Sequence, residues 1–191
     1  REIGHWSPRA ALTSGIAMIH QELQLVPELT VAENVFLGIE ENRAGVLTGS
    51  EQSRFRALDE RCGFGLSPNA VVADLRIAER QKVEIMRAIA RDARVIIMDE
   101  PTSSLTADEA DKLHRVIRWL RDEGRTVIYV THFLDHVLET ADRVTVMRDG
   151  RVVKTGPIAA ETKASLIEAM LGEPADVAFP PLPPAPAADA P

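Results

Sequence analysis

One cysteine, one tyrosine and two tryptophans are all that the 191 residues contain of those types, and aromatic residues make up only 4%. A lone Cys62 excludes an intrachain disulfide framework and a cysteine metal site, so a reducing compartment is the default and a small, partly buried apolar position its expected role. Trp6 and Trp119 have no array of aromatics around them, which speaks against a stacking platform for single-stranded nucleic acid. No apolar run approaches the ~20 residues that cross a bilayer, and the N-terminus lacks a signal-peptide pattern. The chain opens with Arg1 instead of methionine, which reads as a processed product or a fragment. Positive charge is also short. With 22 basic against 29 acidic residues the formal charge is −7, so the whole-molecule field attracts neither nucleic acid nor an anionic bilayer. What is present is ordinary: 45% apolar residues, enough for one domain with a real core, or one domain and an appendage.

The stretch Arg94 to Thr106, RVIIMDEPTSSLT, organises the rest. Val95, Ile96, Ile97 and Met98 are too few for a helix and β-branched enough for a strand apolar on both faces, as in the middle of a helix-covered parallel sheet. Asp99 and Glu100 stand where that strand must end, because Pro101 cannot donate to a ladder. In open parallel sheets, ligands sit at the carboxyl ends of the strands. A solvated acidic turn is the plain alternative for an Asp-Glu pair taken alone.

Around this stretch the pattern alternates. Residues 1–15 give no clear element, and Ile16–Ile19 reads as a short strand leading into His20-Gln21-Glu22. Thr30-Val-Ala-Glu33 reads as a capping box opening a helix that Gly38 ends. Residues 39–49 look like a loop, and a polar helix is expected from Glu51 to about Arg61. A helix is expected over Glu79–Asp92, with Val83, Met86 and Ile89–Ala90 on one face. Thr106-Ala-Asp-Glu109 is a second capping box, followed by the stripe Ala110, Leu113, Val116, Ile117 and Leu120. Thr126–Thr131 reads as a strand and Leu134–Thr140 as a short helix. Arg143–Arg148 and Arg151–Thr155 flank Asp149-Gly150, a strong hairpin signal. Thr162–Leu171 closes the series. From Glu173 onward seven of the twelve prolines fall within nineteen residues, the composition of an extended, disordered linker. Strand, helix, strand from Arg94 to Thr131 is a βαβ unit, so the fold class is α/β with parallel strands. Little strand signal between Thr30 and Leu75 suggests a helical insertion.

VIIMDEPTSSLT resembles the Walker B strand and D-loop of an ATP-binding cassette (ABC) ATPase. Further stretches resemble the same family in the same order. Ile19 to Gly38, with Gln21, resembles the Q-loop and the start of the helical subdomain. Leu75-Arg76-Ile77-Ala78-Glu79 stands at the signature position, ahead of the Glu79–Asp92 helix. His132 resembles the switch histidine, and VTVMRDGRVVKTG the strands that close the cassette. The likeness covers about Ile16 to Gly172. Its wording is most similar to the first cassette of double-cassette ATPases in sugar importers of the ribose, galactose and xylose type.

The resemblance implies a parallel-sheet, P-loop NTPase-like core with the helical subdomain at about 31–92, a partial cassette over 1–172 and a Pro/Ala-rich linker over 173–191. It implies ATP and Mg2+ as cofactors. Asp99 would hold magnesium, largely through water. Glu100 would act as base toward the attacking water, Gln21 would touch magnesium or water, and His132 would contact the γ-phosphate. Ser103, Ser104, Leu105 and Thr106 would face a second cassette; the family often has Asp where Thr106 stands, which puts that contact in question. Residues 75–79 would face the partner's ATP. The implied partners are that cassette, transmembrane permease subunits and, indirectly, a periplasmic sugar-binding protein, with no nucleic acid. The implied location is the cytoplasmic face of the inner membrane, as a peripheral subunit.

Two departures stand against the pattern. No G-x-x-x-x-G-K-[ST] occurs among the 191 residues, so they contain no backbone nest, lysine or hydroxyl of that kind for phosphate and magnesium. Losing one preorganised donor costs ~10²–10³ in rate, so these residues alone are expected not to hydrolyse ATP. In the signature, where the family has Leu-Ser-x-Gly-Gln or close to it, Arg76 replaces the serine hydroxyl and Ala78 adds a methyl where backbone comes close. A cation at a helix N-terminus is also unfavourable unless an anion sits beside it. Two other readings remain: a non-catalytic cassette remnant or regulatory module, and a non-transport ABC ATPase of translation or DNA repair, which would call for basic patches or coiled-coil insertions. His132 and His136 have the i, i+4 spacing of a helical zinc site, but no glutamate follows the first histidine.

Overall fold

The computed structural model describes residues 7–40, 42–43, 46–47 and 51–172; the proline-rich segment expected to be a linker lies outside them. In chain order the elements are α1 (Pro8–Thr13), β1 (Ile16–Ile19), α2 (Val31–Phe36), β2 (Asn42–Arg43), β3 (Val46–Leu47), α3 (Glu51–Cys62), α4 (Ile77–Ala90), β4 (Val95–Asp99) and α5 (Ala107–Asp122). There follow β5 (Thr126–Val130), α6 (Leu134–Thr140), β6 (Arg143–Arg148), β7 (Arg151–Pro157) and α7 (Lys163–Leu171). The chain divides into two units after His132.

In the first unit β1, β4 and β5 form a parallel sheet in the order β1-β4-β5. Ile19 lies level with Met98, and Met98 with Tyr129. The Asp-Glu strand is therefore the middle one, as its apolar run implied. Ala17, Ile19, Ile96 and Met98 point into a core shared with Val83, Ile85, Met86 and Ile89 of α4 and Leu113, Val116 and Leu120 of α5. Among the described residues, the cover expected on both faces is found on one. On the other, Met18, Ile97 and Ile128 stand in register, and Met18 and Ile128 are 44% and 47% exposed. The reason is that α4 and α5 lie on the same side.

Thr30 forms the expected capping box: its hydroxyl accepts from Glu33 N–H, and the Glu33 carboxylate accepts from Thr30 N–H. α2, α3 and α4 pack together around Val35, Phe36 and Phe55. Three expectations are corrected. Pro8–Thr13, left without an element, is a helix with Ser7 as its cap and no buried residue. Within the loop expected at 39–49, β2 and β3 form a two-residue antiparallel pair. The helix expected from Glu79 starts at Ile77.

The second unit is the β6–β7 hairpin with α6 and α7. Asp149 and Gly150 have φ of 51° and 74°, the paired left-handed conformations that a two-residue hairpin turn requires. A bulge between Val146 and Met147 shifts the register, and α7 packs on the hairpin with Leu166 fully buried.

Candidate active site

β4 ends at Asp99, and the next residue breaks from the strand. Glu100 has φ 46°, a left-handed backbone that costs a side-chain-bearing residue ~1–2 kcal/mol. Three bonds hold it there. Its N–H donates to Val130 O at 3.0 Å. Its carboxylate accepts from Thr131 Oγ1 at 3.4 Å and faces His132 Nδ1 at 2.8 Å. Glu100 is only 19% exposed and His132 63%, so a shielded carboxylate meets a solvent-facing imidazole. Asp99 is half-buried beside it. Gln21 follows the end of β1 and is exposed. The structure thus places Gln21, Asp99, Glu100 and His132 at the carboxyl ends of three adjacent parallel strands, with Glu100 and His132 in direct contact.

This cluster can orient and deprotonate water at Glu100, with His132 and Thr131 fixing the carboxylate. No group of three or more His, Cys, Asp or Glu among the described residues is placed to hold a metal. Among the described residues the Asp99 carboxylate has no hydrogen bond or ion pair, and it fits as one ligand of a hard cation, whose other oxygens would come from water and phosphate.

After Glu100 the chain makes two tight turns, Ser103 N–H to Glu100 O at 3.2 Å and Leu105 N–H to Thr102 O at 3.1 Å. Ser103 and Thr106 are exposed, and Ser104 and Leu105 half-buried. At the cap of α5 Thr106 and Glu109 form the expected capping box. The Thr106 N–H and hydroxyl both donate to Glu109 Oε2, each at 3.1 Å.

The 75–79 segment lies at the N-terminus of α4. Ile77, Ala78 and Glu79 form its first turn, and Arg76 is the cap. Glu79 explains the early start: its Oε2 accepts from Arg76 N–H at 2.9 Å. The same carboxylate takes the Arg76 guanidinium at 3.2 and 3.3 Å. The unfavourable cation is therefore accompanied by an anion from its own turn. That bond draws the Glu79 carboxyl below its ordinary value.

Sequence reasoning missed the residues that fix the loop after Gln21. Asn34, fully buried, accepts from Val26 N–H at 2.8 Å and donates to Val26 O and Thr30 O, each at 3.0 Å. From α4, Glu84 accepts from Gln24 N–H at 2.8 Å and Arg87 donates to Gln24 O at 2.6 Å. Glu84 sits among the buried positions of α4, an oddity that could have marked it.

Lys82 and Glu109 make a buried pair, 2.5 Å apart and 7% and 16% exposed. The Lys82 bond first, then the Thr106 N–H, draws Glu109 from 4.5 to about 2. Because the folded value is the lower one, the stabilisation is complete above the unfolded value and is lost as pH falls through 4.5 toward about 2. Denaturant titrations at stepped pH are expected to show a shallower acid loss for Glu109→Gln than for the unsubstituted protein. An identical acid slope would deny the pair this role.

A family model described as ABC transporter matches residues 2–103. The chain belongs to the ABC transporter family. The ribose import ATP-binding protein RbsA 3 of Rubrobacter xylanophilus is 47% identical over 166 residues, 86% of this chain and 34% of that protein. The arabinose import ATP-binding protein AraG of Azospirillum brasilense is 56% identical over 151 residues, 78% of this chain and 29% of that protein. The chain thus spans about a third of the length of these ABC relatives. Among solved structures, a dimeric post-hydrolysis state of the ATP-binding cassette MJ0796 bound to ADP and Pi superposes with a TM-score of 0.69 at 23% identity, over 81% of this chain and 68% of that one. The α/β, parallel-sheet fold expected of an ABC cassette is the fold found.

Proposed function

We propose that these residues are part of the first cassette of a longer, two-cassette ATPase that powers sugar import through a permease pair at the cytoplasmic face of the inner membrane. The observation that carries this reading is the Glu100–His132 contact at 2.8 Å at the strand ends. Relatives named as ribose and arabinose import ATP-binding proteins support the choice of sugar. In the described residues no helix is long and apolar enough to cross a membrane, which suits a subunit docked on separate membrane-spanning partners.

In this role Glu100 takes a proton from the water that attacks the γ-phosphate, and His132 holds the carboxylate and contacts that phosphate. Asp99 and Gln21 would hold magnesium, which when bound with ATP neutralises phosphate charge. Residues 103–106 face the second cassette, and residues 75–79 face the nucleotide on it. A periplasmic sugar-binding protein would deliver the substrate from outside. The domain reading that goes with this is a partial cassette to residue 172, its helical subdomain at about 31–92, and a linker beyond.

Complementation tests the function. The full-length gene, expressed with its permease in a strain lacking sugar importers, is expected to restore uptake of labelled ribose or arabinose. Absence of uptake of any aldose would contradict the proposal. Turnover by the same protein tests the departed signature. Arg76→Ser with Ala78→Gly restores a hydroxyl and a close backbone approach at the α4 N-terminus, and is expected to raise the ATP turnover rate severalfold. An unchanged rate would mean that Arg76 and Ala78 do not limit that site.

A further inference from the structure

The two segments assigned to the partner cassette, 75–79 and 103–106, belong to different elements, and one carboxylate links them. Glu109 Oε2 takes both donors of Thr106, the last residue of the second segment. Glu109 Oε1 takes Lys82 Nζ at 2.5 Å, and Lys82 stands in α4 just under a full turn beyond Glu79. Glu79 in turn holds both the backbone and the guanidinium of Arg76. A series of charge-assisted bonds joined through one helical turn therefore runs from Arg76 to Thr106.

A buried ion pair is weak evidence for stability, since apolar residues of similar volume often hold two helices as well or better. An apolar residue at 109 could not, however, hold the Thr106 N–H and hydroxyl. The charged pair supplies what packing alone would not: a fixed position for the end of the 103–106 segment relative to α4.

We propose that Lys82 and Glu109 are positioning residues that lock the 103–106 loop to the 75–79 helix start, so that both meet the partner cassette as one surface. This rests on the reading of those segments given above. It goes beyond that reading in assigning the coupling to two residues that lie outside both segments.

The test uses the full-length protein with Lys82→Met/Glu109→Leu, which keeps volume and removes the link, and with Lys82→Arg, which keeps it. For the double variant, melting within a few degrees of the unsubstituted protein is expected, together with hydrogen exchange at the Ser103 to Thr106 amides at least ~10-fold faster and an unaltered α4. Its kcat for ATP is expected to fall about 10-fold with KM within twofold, and Lys82→Arg to leave both readouts at the unsubstituted values. A double variant whose 103–106 amides exchange and whose ATP turnover proceeds like the unsubstituted protein would overturn the proposal. If the unsubstituted protein shows no ATP turnover, the functional reading fails, but amide exchange still decides the coupling. If the double variant does not fold, Glu109→Gln is measured by the same exchange experiment; unchanged exchange at residues 103–106 overturns the proposal there too.

Discussion

Glu100→Gln in the full-length protein is expected to cut ATP turnover by ~10²–10⁴, the range that a positioned general base supplies, and to leave ATP affinity within a few fold. Glutamine matches glutamate in size and can keep contacts with His132 and Thr131, so the left-handed turn at residue 100 should persist. It cannot take a proton from water. The acceptors that would position nucleotide or magnesium, Asp99 among them, are untouched. Single-turnover phosphate release measured beside equilibrium ATP binding separates the two effects. A variant that turns over within tenfold of the unsubstituted rate would remove Glu100 from the role of base and reduce its contact with His132 to a structural one.

The largest expected effect on stability is at Phe55. α3 buries only Phe55 and Cys62, so one ring supplies most of its anchorage to α2 and α4. Around it, Arg54 lies over the Phe36 ring at 4.4 Å and Arg61 over the Trp119 ring at 4.2 Å. These contacts are lateral and cannot fill the space that a truncated ring would leave. Phe55→Ala is expected to cost ~3–5 kcal/mol through lost burial and a residual cavity, or about 10 °C in melting temperature for a unit of this size. Urea unfolding monitored at Trp119, which lies against α3, reads it directly. A loss under 1 kcal/mol would show that α3 is held mainly by its rim.

The elements most legible in the sequence were those with local chemistry of their own. Val95 to Met98 announced a strand by branching and length, Thr30 and Thr106 announced helix starts, and Asp149-Gly150 announced a hairpin. The strand-end acids were legible as a candidate site because ligands of open parallel sheets sit at such ends, and His132 was legible through its resemblance to the switch histidine. Other features needed partners distant in sequence. α1 buries nothing, so no apolar stripe marked it, although Ser7 and Pro8 stood in suitable capping positions. The start of α4 was misplaced by two residues because Ile77 is 65% exposed and gave no inward signal. The roles of Asn34, Lys82 and Glu84 show only once Val26, Glu109 and Gln24 are seen opposite them. The open face of Met18 and Ile128 depends on which side the helices take, and an apolar run does not carry that choice.

The most direct measurement is phosphate release from ATP by the full-length protein reconstituted in vesicles with the proposed permease and sugar-binding protein, with and without an aldose sugar. The expected result is hydrolysis that rises severalfold when the transported sugar is added and disappears in Glu100→Gln. Hydrolysis indifferent to every sugar, or equally fast without the Glu100 carboxylate, would contradict a sugar-import ATPase built on this site.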